Sequence, residues 1–400
     1  MLRTHVFLIA LLSALLFPVV SHADDTTLFV EKQRFEVQNF TFFNGKQIPM
    51  LAVGWESYGT LNEDKNNVVL ITHYFTGSSH AAGKYSKSDS TPGYWDAIIG
   101  PGKAIDTNTY FVVSVDAIAN LGVHDPNVIT TGPASTNPQT GKPYGLDFPV
   151  VTMRDMVNVQ KALLESLGIN QLHAVVGPSM GSMQAIEWAS AYPEWVERLI
   201  SVIGSAQSDA WTTTALEQWA IPIKLDPLWN NGNYYGDQPP LEGLTAALMF
   251  ITQVALTPEY FNQQGKALAH SPLENAPLND IRADHAITDW LYQRAAKRAS
   301  MMDANHLLYL VRACQLFMAG QKDSLKTGLA DIQAKTLFLP ASTDLLLMPY
   351  HAHSAYTAMA AQGKAVEYAE LNGTLGHLEG VVGIQQQAEK IKQFLDSPAR

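Results

Sequence analysis

The sequence predicts an α/β fold: a mostly parallel wound sheet with helices on both faces and a helical insert. Three observations lead there. Short, continuous apolar runs recur along the chain, as in strands buried on both faces of a parallel sheet. Stretches with helical period lie between several of these runs, and strand–helix alternation marks a wound α/β domain. The alternation stops at about residue 207 and resumes at Thr336; in between, Trp, Met, Leu and Ala recur at helical spacing with no strand-like run.

In chain order, residues 1–23 stand apart. Arg3 gives a positive start, residues 6–20 are uncharged and apolar, and Ser21-His22-Ala23 supplies small residues at the two cleavage-determining positions. This is the pattern of a secretory signal peptide cut after Ala23. The apolar run is shorter than the roughly 20 residues a bilayer requires, and Pro18 interrupts it, so no stable membrane anchor is expected. The mature chain should be soluble, and periplasmic or secreted.

Residues 29–58 alternate apolar and polar around Asn44-Gly45, which predicts an antiparallel hairpin. The continuous runs follow at 68–71, 110–113, 172–176, 199–203, 336–339 and 365–368. Helical period appears at 153–167, 180–191 and 387–395. Two strands after the insert are too few for a sheet of their own. The chain therefore divides into a first core segment, 24–206, a helical lid insert, 207–329, and a second core segment, 330–400, of the same domain.

Composition bounds the chemistry. With 46% hydrophobic and 16% charged residues the 400-residue chain is globular. Lys and Arg number 26 against 37 Asp and Glu, a formal charge of −11 that repels a polyphosphate backbone, so nucleic acid is not an expected partner. The single cysteine, Cys314, excludes an intrachain disulfide, an iron–sulfur cluster and a Cys-rich zinc site. His351 and His353 are two apart at a predicted helix start and face different ways, so they do not form a metal pair. Neither a metal nor a cofactor is expected.

One motif carries chemistry. Gly177-Pro178-Ser179-Met180-Gly181 follows the run 172–176 and opens a helical pattern. In a nucleophile elbow the serine sits on a strained strand-to-helix turn, and the positions two before and two after must be small for strand and helix to close in. Ser179 is thus the candidate nucleophile. A serine hydroxyl needs a histidine to take its proton and a carboxylate to hold that histidine's tautomer. Asp344 and His377 follow the late runs 336–339 and 365–368 and so sit at the carboxyl edge, where ligands bind in open α/β sheets. Asp331 and Glu370 are nearby rivals to Asp344. Backbone N–H groups should receive the oxyanion, one from Met180 and one from the loop after an early strand, at Phe75.

These residues resemble the homoserine O-acetyltransferase family of the α/β-hydrolase fold. The similar segments, in order, are HYFTGSSH (73–80), GPGKAID (100–106), TGPASTN (131–137), GKPYGLDFPVVT (141–152), SMGSMQAIEW (179–188) and DANHLLYL (303–310). The resemblance implies a triad of Ser179, Asp344 and His377, a lid formed by the insert, and a homodimer built through that lid. Family members hold the homoserine amino and carboxylate groups with a lid arginine and tyrosine seven residues apart and an aspartate directly after the histidine. Ungapped matching puts Leu248, Ala255 and Leu378 at those positions, so a zwitterion would lose charge-assisted hydrogen bonds of about 1.5–3 kcal/mol each. Homoserine is not the expected acceptor, and export removes the chain from cytoplasmic acetyl-CoA. Pro178, Ser182 and the stretch 117–129 also depart from the family and leave the pocket wall open. Trp211, Trp219 and Met249 could line the pocket or fill the core.

The function expected is a serine ester hydrolase acting on a small-molecule, small to medium acyl ester. The runner-up is an O-acyltransferase with a non-homoserine acceptor, and a third reading is a catalytically silent binding protein on the same fold.

Overall fold

The computed structural model describes residues 28–399. The signal-peptide pattern and its cleavage point after Ala23 lie outside the described residues. Strands β1 (Gln33–Thr41) and β2 (Gln47–Tyr58) form the expected hairpin, and Gly45 takes φ 82° in the turn that Asn44-Gly45 marks. The remaining strands of the main sheet are β3 (Val68–Thr72), β4 (Phe111–Val115), β5 (Ala174–Pro178), β6 (Arg198–Val202), β7 (Lys335–Leu339) and β8 (Val366–Tyr368). They lie in the order β1-β2-β4-β3-β5-β6-β7-β8, parallel from β4 to β8, with β1 and β2 antiparallel.

Alternate residues of these strands feed two cores. Leu70, Val113, Val175 and Leu199 point to one face, where they meet Val157 and Leu164 of α1 (Met153–Ser166) and Ile186 and Trp188 of α2 (Met180–Ala191). Ile71, Val112, Val176, Ile200 and Leu337 point to the other. Continuous apolar runs are the sequence consequence of being covered twice.

Between β6 and β7 the chain forms seven α-helices: α3 (Ala210–Leu225), α4 (Leu241–Ala255), α5 (Pro258–Ala267), α6 (Asn275–Asn279), α7 (Ala286–Ala299), α8 (Ala304–Gln315) and α9 (Leu325–Ala330). Helix α4 packs on α3 and α7, and α3 packs on α8. The DANHLLYL segment shows its purpose here. Asp303 caps α8 by accepting the His306 N–H, and also accepts the hydroxyls of Tyr234 at 2.7 Å and Tyr235 at 3.0 Å. The buried His306 ring donates from Nδ1 to the Asn120 carbonyl at 2.7 Å, fastening the helical segment to the loop after β4. Two more helices, α10 (Tyr350–Ala360) and α11 (Ala388–Asp396), complete the layers; Ala355 and Met359 of α10 join α1 and α2, while Ile391 and Phe394 of α11 cover the opposite face.

A buried charge cluster ties β2 to the loops after β3 and β4. Lys32 Nζ lies 2.8 Å from Glu56 and 3.4 Å from Asp116, both wholly buried. Glu56 also accepts from Tyr58, His80 and Tyr85, and Asp116 accepts the Ser79 N–H at 2.7 Å. Burial pushes the Glu56 carboxyl up, but the His80 hydrogen bond, the Lys32 charge and Tyr85 outweigh it and hold the pKa at about 2, against an ordinary 4.5. Its stabilisation is thus complete above pH 4.5 and is lost as the pH falls from there toward 2. Glu56→Gln should cost about 3 kcal/mol at neutral pH by leaving the Lys32 charge with only the neutral Ser79 hydroxyl and the more distant Asp116. Thermal melts should show that deficit shrinking by about pH 3, where wild type has itself begun to lose the charge; a deficit independent of pH would mean that shape, not charge, holds the cluster.

Candidate active site

Strand β5 ends at Pro178 and α2 starts at Met180, so the whole turn falls on Ser179, which takes φ 58° and ψ −120°. Such a conformation costs a non-glycine residue about 1–3 kcal/mol and persists only where the surroundings impose it. Here the Ser179 N–H donates to the Val202 carbonyl at 2.9 Å, pinning the turn to β6. The flanking glycines are required by space. A Cβ on Gly181 would come 2.0 Å from the Thr72 carbonyl oxygen, and one on Gly177 would come 2.1 Å from Thr72 Oγ1. Thr72 Oγ1 instead donates to the Gly181 carbonyl at 2.7 Å, locking β3 against the start of α2.

The three residues singled out from the sequence come together. His377 stands in a short 3₁₀ turn (Gly376–Gly380) after β8, entered through Gly376 at φ 63°. Its Nε2 lies 2.7 Å from Ser179 Oγ and its Nδ1 2.6 Å from Asp344 Oδ2. Asp344, in the loop after β7, accepts the N–H groups of Leu346 at 2.8 Å and Leu347 at 3.1 Å on its other oxygen. All three side chains are buried. The rivals lie elsewhere: Asp331 pairs with Lys322 at 3.1 Å, and Glu370 accepts from Tyr368 at 3.1 Å. His351 is bonded to Ser205 and Thr212, at 3.1 and 3.2 Å.

A cavity of about 330 Å³ opens onto Ser179 and His377. Phe75 and Met180 both line it, and Phe75 packs edge-on against Trp219 with ring centroids 5.5 Å apart. The loop that carries Phe75 is braced by His73, whose role the sequence did not suggest. Its Nδ1 donates to the Tyr74 carbonyl at 2.8 Å and its Nε2 accepts the Ala117 N–H at 2.9 Å. Burial lowers its pKa, so the ring is neutral and serves as a structural clamp. Asn120 adds a bond to the Gly77 carbonyl at 2.9 Å.

Of the three pocket positions matched from the sequence, Ala255 and Leu378 line the cavity and Leu248 does not. Leu248 is wholly buried. Only the last turn of α4 reaches the cavity wall, through Ile251, Thr252 and Ala255, while one turn earlier the helix is enclosed by α3 and α7. Trp219 belongs to the wall, Trp211 is 61% exposed, and Met249 packs on the core. Pro178 and Ser182 do not line the cavity; Ser182 Oγ bonds Ser201 Oγ at 2.7 Å. Cys314 lines it as an inert thiol, pushed up to about 12 by burial.

Comparisons with known proteins bear on the fold and the family. A family profile described as alpha/beta hydrolase fold matches residues 130–369. The chain is 36% identical over 362 residues to a homoserine O-acetyltransferase of Deferribacter desulfuricans, covering 89% of this chain and 93% of that one. The chain belongs to the homoserine O-acetyltransferase family of α/β-hydrolase-fold enzymes. It spans about two thirds of the length of the Methanosalsum zhilinae member, at 66%. Two crystal structures are similar: esterase E22, at 66% identity over 92% of this chain and all of that one with a TM-score of 0.91, and homoserine O-acetyltransferase from Bacillus anthracis, at 37% identity over 94% of this chain and all of that one with a TM-score of 0.89.

Against that family background, two features were not anticipated. Arg294 and Arg298, one turn apart on α7, both line the cavity, so its wall is not uniformly apolar. Their spacing in a polar helix reads as a solvated face; Arg294 keeps that exposure at the cavity rim, and the packing of α7 on α4 half-buries Arg298. Separately, His270, Glu274 and His285 bring ligand-type atoms within 4.8 Å of one another, and none of the three lines the cavity.

Proposed function

We propose that the protein is a serine ester hydrolase that cleaves small to medium acyl esters through an acyl-enzyme. The observation that carries this reading is the continuous hydrogen-bond chain from Ser179 through His377 to Asp344 at the wall of a partly open, largely apolar cavity. With the proton on Nδ1 directed at Asp344, Nε2 of His377 is free to take the Ser179 proton as Oγ bonds to the ester carbonyl carbon. The carbonyl π pair moves onto oxygen, where the N–H groups of Phe75 and Met180 receive it; each such donor contributes about 10²–10³ in rate. Collapse breaks the bond to the alcohol, which leaves with the proton from His377. Water then gives its proton to the same ring, attacks the acyl carbon and releases the acid.

An acyltransferase would form the same acyl-enzyme and pass it to another nucleophile. Two features support water. Leu378 stands at the cavity where family acetyltransferases place an aspartate, and the similar structure at 66% identity is named an esterase. The deciding measurement is the partition of product from an acetyl ester with homoserine, a simple alcohol, or neither present. We expect free acetate at an unchanged rate in all three; turnover that requires an acceptor would assign the transferase instead.

Two further parts of the reading rest on the sequence and the surface. The first 23 residues support export, with the mature chain from Asp24 periplasmic or secreted. Exposed Trp211, Ile221, Leu225 and Phe250 on α3 and α4 support a homodimer built through the insert.

A further inference from the structure

The cavity wall holds two guanidinium groups and no counter-charge. Arg294 and Arg298 line it together with Ser179 and His377, and no aspartate or glutamate lines it among the described residues. Neither arginine forms an ion pair among the described residues. Arg294 lies over the Trp290 ring at 5.9 Å, and the polar contact of Arg298 is to a neutral group, Thr252 Oγ1, at 3.2 Å. In a chain of net charge −11, acids are abundant, and the partly buried Arg154 and the buried Arg198 each have one, yet half-buried Arg298 does not. Half-buried Arg298 is the more telling of the two. Burial lowers its pKa, the mark of a cation held away from water without compensation. A guanidinium kept beside a cavity at that cost, with donors in a planar fork suited to a carboxylate, is a binding group lacking its ligand.

We propose that Arg298, supported by Arg294, is an anion subsite, and that the substrates are esters carrying a carboxylate in addition to the scissile acyl bond. This rests on the ester-hydrolase reading above and narrows it. The ligand is an anion and not a zwitterion, because the wall offers an ammonium group no carboxylate. Arg298 is here a binding residue that touches the substrate away from the reacting atoms.

The carboxylate can belong to the alcohol half or to the acyl half of the ester, and matched pairs separate the two. The alcohol-side pair is 4-acetoxybenzoate against phenyl acetate. The acyl-side pair is mono-p-nitrophenyl succinate against p-nitrophenyl butyrate. For at least one pair, wild type should favour the anionic ester, and Arg298→Gln should reduce the anionic-to-neutral ratio of kcat/KM by about 10- to 100-fold, the range of one charge-assisted hydrogen bond. The loss should lie mainly in KM, and Arg298→Lys should recover part of it. High salt should narrow the ratio in wild type more than in Arg298→Gln. A ratio unchanged by the substitution in both pairs overturns the subsite while leaving the hydrolase intact.

Failure of the hydrolase reading is seen separately, as absence of turnover with all four esters. The subsite is then read by calorimetric titration of 4-acetoxybenzoate and of mono-p-nitrophenyl succinate into a Ser179→Ala protein with and without Arg298→Gln. At least one should bind about 10-fold or more weakly without the arginine. Equal affinities, or no binding to either protein, overturn the proposal.

Discussion

Ser179→Ala should reduce turnover of p-nitrophenyl acetate and butyrate by about 10⁴- to 10⁶-fold, because the covalent path is removed and only binding and the oxyanion donors remain. The change deletes one oxygen, which lies 2.7 Å from His377 Nε2. His377 keeps its bond to Asp344, and alanine can occupy the strained φ 58° turn on the same terms as serine. Stability should therefore move by no more than about 1 kcal/mol, so that a normal melting curve accompanies the dead enzyme. The same variant should lose labelling by a fluorophosphonate, while wild type labels at a single site. Wild type that neither turns over esters nor labels would point to a silent ligand cradle; undiminished turnover in the variant would remove Ser179 from the mechanism altogether.

How much of this site could be read in the sequence follows from how local its causes are. The elbow is written within a few residues: Gly177 and Gly181 are there because Thr72 leaves no room for a Cβ at either, and the strand before and the helix after show in the apolar pattern. Asp344 and His377 were legible from chain order, since each follows a late strand and strand ends share one edge of a parallel sheet. The wall opposite is made by helices whose mutual packing is not encoded at short range. Leu248 and Ala255 sit two turns apart on one stripe of α4, and nothing in that stripe says that only the latter reaches the cavity. Arg298 shows the converse. Its neighbours Gln293, Arg294 and Lys297 suggest a helix facing water, and only the contact between α7 and α4 brings its Nη1 within 3.2 Å of Thr252. His73 is a third kind of case, a buried imidazole whose partners Ala117 and Asn120 lie more than forty positions away.

Asp344→Asn should be nearly as damaging as loss of the nucleophile, and the hydrogen bonds around Asp344 say why. One carboxylate oxygen takes two backbone N–H groups, from Leu346 and Leu347, and the other takes His377 Nδ1. The site offers donors on both sides, and an asparagine has only one acceptor oxygen. Turned with its NH₂ toward the two N–H groups, it sets donor against donor at a position 2% exposed and forfeits two bonds. Turned the other way it keeps both and presents its NH₂ to His377, which can accept only by giving up the proton on Nδ1. That proton moves to Nε2, where it points at Ser179 Oγ and blocks removal of the serine proton. The second orientation keeps more bonds and should prevail, so the fold survives while the relay runs backwards. We expect kcat to fall by about 10⁴-fold, near 5.5 kcal/mol of barrier, with KM little changed because Asp344 does not line the cavity. Steady-state kinetics beside Asp331→Asn and Glu370→Gln, whose partners are Lys322 and Tyr368, supply the contrast. A loss of less than tenfold in Asp344→Asn, or a comparable loss in either control, would assign the orienting carboxylate to another residue.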